Sequence, residues 1–136
     1  MFFNDWISDL ISRIKIGLLS KKSYVIVKNT KMSFKILRIL YHDGWIANFK
    51  VLKNNPYEIQ VYLKYYNNIS IIKNIKKISK SSRKVYLTAK EIRSHYKRSY
   101  IIFSSSQLGL SSYTADNHFH KLYGGEIILS INQYIY

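Results

Sequence analysis

Cysteine is absent from the 136 residues, which excludes a disulfide framework and any thiolate metal site. Proline occurs once and glycine five times. The five, Gly17, Gly44, Gly109, Gly124 and Gly125, never form a phosphate-cradling glycine-rich loop. No apolar run approaches the ~18 residues of a membrane span. The opening Met1-Phe2-Phe3-Asn4-Asp5-Trp6 resembles neither a signal peptide nor the Arg- and Ser-rich presequence of an imported organellar protein. The expectation is a protein that works where it is made, or one whose presequence has been removed. No internal repeat or low-complexity tract is present.

The parts of an enzyme are missing as well. Asp116, His118 and His120 are the only cluster of acid–base or metal-ligand type. Histidines two apart on a helix diverge, and a helical zinc pair needs four-residue spacing with a Glu between them. Phosphate or solvent contact is the better use for these rings. Ser104-Ser105-Ser106 has no nucleophile elbow and no Ser-x-x-Lys spacing around it. No catalytic residue, metal, cofactor or small-molecule substrate is therefore expected.

Acid is the other scarcity, and it exposes what is abundant. Seven Asp and Glu face twenty-two Lys and Arg, for a net charge of +15. Such an excess repels itself in a compact chain, so a polyanion is the natural partner. Lys73, Lys76, Lys77, Lys80, Arg83, Lys84, Lys90, Arg93, Lys97 and Arg98 lie in one stretch, with Glu91 its only acid. A solvated basic face and an anionic membrane surface are the alternatives to nucleic acid. The membrane reading requires a polybasic amphipathic helix, and the first helix carries Asp5 and Asp9 beside Arg13 and Lys15. Tyr86 has two uses open to it, stacking on a base or ribose, or filling the core.

An apolar share of 47% predicts a folded chain, and burying roughly two-thirds of the unfolded surface gives a modest core. Trp6, Ile7, Leu10, Ile11, Ile14 and Leu18 recur at helical spacing, with Asn4 or Asp5 as cap and Gly17 near the end. Tyr24–Val27 reads as a strand. Thr30 caps a second helix whose apolar side holds Phe34, Ile36, Leu37, Leu40 and Tyr41, closed by Gly44. Trp45–Val51 and Tyr57–Tyr65 form a hairpin across Asn54-Asn55-Pro56, with Ile59, Val61 and Leu63 inward. Beyond it, Lys73–Lys84 reads as a loop between short strands. Thr88-Ala89-Lys90-Glu91 has capping-box spacing for a short helical turn. Ser99–Phe103 reads as a strand, Ser104–Ser112 as a polar loop and Thr114–Lys121 as a short helix. Gly124-Gly125 breaks the chain before a strand, Glu126–Ile131. The fold class is α+β in two small lobes. Residues 1–71 form a helix–strand–helix–hairpin, and residues 72–136 a mostly β lobe with a short helix.

Several segments carry a family likeness. Ile7-Ser8-Asp9-Leu10-Ile11-Ser12-Arg13-Ile14-Lys15-Ile16-Gly17 closely resembles the opening helix of small-subunit ribosomal protein eight, the S-eight family. That helix runs Asp, two hydrophobics, Thr or Ser, then Arg-Ile-Arg-Asn-Gly. Lys31 and Gly44-Trp45-Ile46 resemble the family's second helix and its exit. Lys77-Ile78-Ser79-Lys80-Ser81-Ser82-Arg83-Lys84-Val85-Tyr86 is similar to its Arg-x-Ser-x-Pro-Gly-x-Arg-x-Tyr segment. Gly124-Gly125-Glu126-Ile127 matches its terminal Gly-Gly-Glu-Ile. The likeness runs in order from about Asp5 to Ile131.

The resemblance implies a two-lobed α+β fold that binds the central domain of small-subunit ribosomal RNA and supports assembly beside neighbouring small-subunit proteins. It implies that Ser104, Ser105 and Ser106, with Gly109, form a groove-contacting loop in the C-terminal lobe. Tyr86 would stack or support, and Lys77, Lys80, Lys84, Arg13 and Lys31 would contact phosphates. Glu126 would order the loop or contact RNA. Three departures stand out. Serine replaces the loop's central Thr and keeps its hydroxyl, so Ser105 and Ser106 are the expected groove readers, while one extra residue before Gly109 leaves their register open, with Ser104 as the alternative in the reading position. Ser81-Ser82 replaces Pro-Gly, which loosens that turn. Ile16 replaces the helix Asn. Crowding of Ile, Lys, Asn and Tyr at the expense of Ala, Gly and Pro matches an AT-rich genome, so the compartment expected is a mitochondrion, with a plastid or an AT-rich bacterial cytoplasm as the alternative. The competing function is a basic RNA-binding regulator outside the ribosome.

Overall fold

The computed structural model describes residues 3–80, 82–95, 99–106, 109–113 and 124–133. The chain divides into two compact units after Lys73.

In the N-terminal unit, α1 (Phe3–Leu19) turns Ile7, Leu10, Ile11 and Ile14 inward, as their spacing requires. It begins before Asn4 and Asp5, so neither caps it. Gly17 serves α1 by its lack of a side chain: a Cβ there would strike Val25 and come within 2.9 Å of Leu63. β1 (Tyr24–Lys28) follows, then α2 (Lys31–His42). Thr30 caps α2, its Oγ1 accepting the Ser33 amide at 3.0 Å. Ile36, Leu37 and Leu40 are buried. Phe34 and Tyr41, expected on that apolar side, are instead 38% and 49% exposed and pack edge-on against Phe49.

Gly44, at φ 85°, reverses the chain after α2, and the Trp45 amide still donates to the Leu40 carbonyl. That bond delays the next strand, so β2 is only Asn48–Val51 rather than Trp45–Val51. β3 (Glu58–Tyr62) lies between β1 and β2, antiparallel to both. Val25, Val27, Ile59 and Val61 form the buried face, each such side chain contributing about 1.5–3 kcal/mol. The expected long return strand stops at Tyr62. After it β4 (Tyr65–Tyr66) pairs with β5 (Ile69–Ser70) through Asn67 and Asn68, at φ 51° and 66°. Asparagine tolerates that left-handed backbone better than most residues.

The second unit is built on β10 (Gly125–Gln133), which pairs with three strands: β6 (Ile72–Lys77), β7 (Tyr86–Leu87) and β8 (Tyr100–Ser105). β9 (Gly109–Tyr113) pairs with β8 at the other side. α3 (Ala89–His95) buries Ile92 against Ile101, Phe103 and Ile127. The expected capping box is formed: the Thr88 amide donates to Glu91 Oε1 and the Glu91 amide to Thr88 Oγ1, both at 3.3 Å.

Three expectations are corrected in this unit. The first part of the basic segment expected as a loop, residues 73–77, belongs to β6, where Ile72 and Ile75 are buried and Lys73 and Lys76 exposed. The polar segment after Phe103 is no loop either, since Ser104 and Ser105 end β8 and residues 109–113 return as β9. Gly125 lies within β10 rather than breaking the chain before it. In each case, backbone pairing offered by a partner strand outweighs weak local propensity. The helix expected at Thr114–Lys121 lies outside the described residues.

Candidate nucleic-acid interface

The interface is assembled where β7, β10 and β8 run side by side. Glu126 pairs in register with Tyr86 on one side and with Ser104 on the other. Directly opposed residues in antiparallel strands project to the same face, so the three side chains form one row. Tyr86 is 65% exposed, which gives its ring a face to present rather than a place in the core. Ser104 and Glu126 are half-buried.

The neighbouring glycines make this row possible. A Cβ on Gly124 would lie 2.6 Å from the Leu87 carbonyl oxygen, and one on Gly125 would collide with the Ser104 carbonyl. Only a bare backbone fits between β7 and β8 here. The paired glycines thus act through close approach.

The serines divide by strand parity. Ser105 follows Phe103 onto the core-facing side and is 7% exposed, whereas Ser104 shares the face of Glu126. Ser106 is exposed in the turn that follows. Gly109, opposite Ser105, takes φ 69° in open space, so its need for glycine is conformational. Residues 107 and 108 lie outside the described residues, as do Ser81, Lys97, Arg98, Asp116, His118 and His120.

A second device holds the basic segment against the row. Lys80 and Arg83 exchange both backbone hydrogen bonds, at 2.9 and 3.0 Å, which closes the turn that Ser82 occupies without Pro-Gly. Beneath it Ser79, buried, accepts the Val85 amide at 2.9 Å. The Ile127 amide donates to the Val85 carbonyl and the Ile78 amide to the Ile128 carbonyl, both at 2.9 Å. The segment is therefore pinned at its base to β10. Lys80, Arg83 and Lys84 are exposed beyond it, and Lys77 is half-buried at the end of β6. Neither the anchoring role of Ser79 nor the steric role of Gly125 is evident from sequence, although a Gly-Gly pair always admits the close-approach reading.

Arg13 and Lys31 belong to the N-terminal unit. Arg13 is engaged in the fold, its Nε 2.9 Å from Asp9 Oδ2 and its Nη1 donating to the Ile26 carbonyl at 3.1 Å. Its side chain stays half exposed. Lys31 is exposed in the first turn of α2. Ile16, in the position where the family resemblance places Asn, is exposed at 58%.

Chemically, the row offers a hydroxyl that donates and accepts, a carboxylate that only accepts, and an aromatic face. A carboxylate repels phosphate, so Glu126 is useful against base amino groups and ribose hydroxyls, or for orienting Ser104. Among the described residues no three His, Asp or Glu side chains gather to hold a metal. Nor is any helix there long and apolar enough to cross a membrane.

The family model described as Ribosomal protein S8 matches residues 5–132, nearly the whole chain. The chain belongs to the ribosomal protein S8 family. Similar proteins include the small ribosomal subunit protein uS8 of Malacoplasma penetrans (strain HF-2), 37% identical over 128 residues that cover 93% of this chain and 96% of that one. The uS8m protein of Acanthamoeba castellanii is 34% identical, covering 93% of this chain and 98% of its own. The uS8c protein of Chlorella vulgaris is also 34% identical, covering 94% and 98%. As an S8 family member the chain is a structural constituent of the small ribosomal subunit and not an enzyme.

Proposed function

We propose that this S8 family member binds the central domain of small-subunit ribosomal RNA through its C-terminal unit and supports assembly of the small subunit in a mitochondrion. The observation that carries the RNA-binding reading is the row of Tyr86, Glu126 and Ser104, one strand-width apart and flanked by a pinned basic turn. A shallow RNA minor groove offers ribose hydroxyls and base edges to such a row. Ser104 and Ser106 reach the groove, Tyr86 stacks on a ribose or an unpaired base, and Lys77, Lys80 and Lys84 meet phosphates. Ser105 and Gly109 hold the hairpin that presents them. Arg13 and Lys31 add phosphate contacts from the N-terminal unit. Neighbouring small-subunit proteins complete the surroundings.

The mitochondrial assignment rests on the AT-rich residue usage, with the Acanthamoeba uS8m protein as a full-length relative. The test is to crosslink the protein to RNA in its own cells and sequence what is attached. Reads from the central domain of a mitochondrial small-subunit RNA are expected, together with co-sedimentation with small subunits in high salt. Reads from a plastid or bacterial RNA would move the compartment and leave the binding site intact. Reads from messenger RNA, with no co-sedimentation, would favour a regulator outside the ribosome.

A further inference from the structure

The N-terminal sheet buries one face and leaves the other open. Val25, Val27, Ile59 and Val61 occupy the buried side, so their strand neighbours must point outward. Tyr24 and Tyr62 are directly opposed on that outer face, with ring centroids 6.1 Å apart and planes tilted by 56°. Tyr24 is 46% exposed. Lys50, on the adjacent strand, holds its Nζ 5.7 Å from the Tyr62 ring centroid, and it pairs in register with Gln60. Lys28, at the end of β1 opposite Glu58, the one acid on this face, holds its Nζ 4.3 Å from the centroid of the Trp6 ring of α1.

A cross-strand tyrosine pair stabilises a sheet, but that role requires neither the exposure nor the chemistry around it. The 56° tilt keeps the two rings from stacking on each other, so each retains an aromatic face for another group. Lys50 beside them supplies positive charge, and the Gln60 amide both donates and accepts hydrogen bonds. Aromatic faces, cations and an amide on an open sheet are what single-stranded nucleotides require. A duplex is a poor fit, because its bases are already stacked within the helix. Charge argues for the same occupant, since Lys50 stands beside Tyr62 on a chain carrying +15.

We infer that the outer face of the β1–β3–β2 sheet is a second RNA surface, taking one or two unpaired nucleotides on Tyr24 and Tyr62, with Lys50 on a flanking phosphate and Gln60 on a base edge. This surface rests on the reading of the chain as an RNA-binding protein, but uses none of the residues of the C-terminal row.

The experiment measures the intact protein against two probes, a short unstructured oligouridylate and the cognate ribosomal RNA helix. Replacing Tyr24→Ala and Tyr62→Ala together weakens oligouridylate binding by roughly tenfold or more, in line with the loss of base–aromatic stacking. The Tyr24→Phe, Tyr62→Phe variant keeps the rings and the affinity, and serves as the folded control. Lys50→Glu, on the exposed face, weakens oligouridylate binding as well. Tyr86→Ala with Ser104→Ala weakens binding of the helix. If the alanine pair and Lys50→Glu both bind oligouridylate like the parent protein, the second surface is refuted. Failure of the parent protein to bind the helix would instead refute the proposed function. In assembled subunits a photocrosslinker in place of Tyr24 attaches to RNA; attachment to a protein neighbour would overturn the inference.

Discussion

The backbone of Gly125 passes so close to that of Ser104 that a single methyl group on residue 125 would overlap the Ser104 carbonyl, with the carbonyl carbon 2.9 Å away. The obstruction is backbone, which cannot rotate aside as a side chain can. Gly125→Ala is therefore expected to destabilise the C-terminal unit by about 3 kcal/mol, the upper part of the usual overpacking range. It should also spread β8 from β10 and weaken RNA binding. Chemical denaturation of the variant measures the first effect and filter binding the second. A variant as stable as the parent protein would show that this close packing is dispensable.

The serines are expected to fail in different ways. Ser104→Ala removes a hydroxyl beside Glu126 and should cost about 1–3 kcal/mol in affinity for the cognate helix, leaving generic duplex RNA unaffected. Ser105→Ala alters a residue that is 7% exposed, so its effect should appear in the unfolding midpoint before it appears in binding. Ser82→Ala, in an exposed turn, should change neither by much. Affinity titrations and melts of the three variants settle the order. Equal losses of affinity from Ser104 and Ser105 would show that strand parity does not select the reading hydroxyl.

The basic turn should be visible in salt dependence. Log K is expected to fall with log salt by roughly 0.7–0.9 per neutralised phosphate. Lys80→Ala and Lys84→Ala, on exposed side chains, should each flatten that slope by about one contact. Slopes matching the parent protein in both variants would remove the turn from the interface.

Tyr65 links the end of α1 to the small β4–β5 hairpin, its hydroxyl donating to the Lys22 carbonyl at 2.7 Å with the Gly17 carbonyl at 3.4 Å. Burial disfavours the phenolate and raises the Tyr65 pKa above its ordinary value of 10.0. Below about pH 10 the phenol is protonated whether folded or unfolded, and its contribution to stability is complete. As pH rises from there through the raised folded value, the unfolded chain loses its proton first and that contribution disappears. Tyr65→Phe should cost about 1 kcal/mol at neutral pH and lessen the alkaline loss. Urea midpoints of both proteins across the alkaline range check the sign. An identical alkaline decline in Tyr65→Phe would assign it to other groups.

Much of this molecule is local, and that part is legible in the residues. Ile7, Leu10, Ile11 and Ile14 place one face of α1 in the core because a helix returns every 3.6 residues, whatever lies elsewhere. Thr30 caps α2, and Thr88 with Glu91 opens α3, through contacts spanning three residues. Net charge, the alternation of Ile59 and Val61, and the ordered likeness to the S8 family likewise require no coordinates. The segments 72–77 and 109–113 were hidden because their side chains, lysine-rich or serine-rich, carry weak strand propensity. Their conformation comes from backbone bonds, of 72–77 to the distant β10 and of 109–113 to β8 just before it, which side-chain type does not announce. The same physics governs the site. Three adjacent serines are alike as a string, and only pairing register turns Ser104 toward Glu126 and Ser105 toward Phe103's side of the sheet, since a shift of one residue would reverse every face.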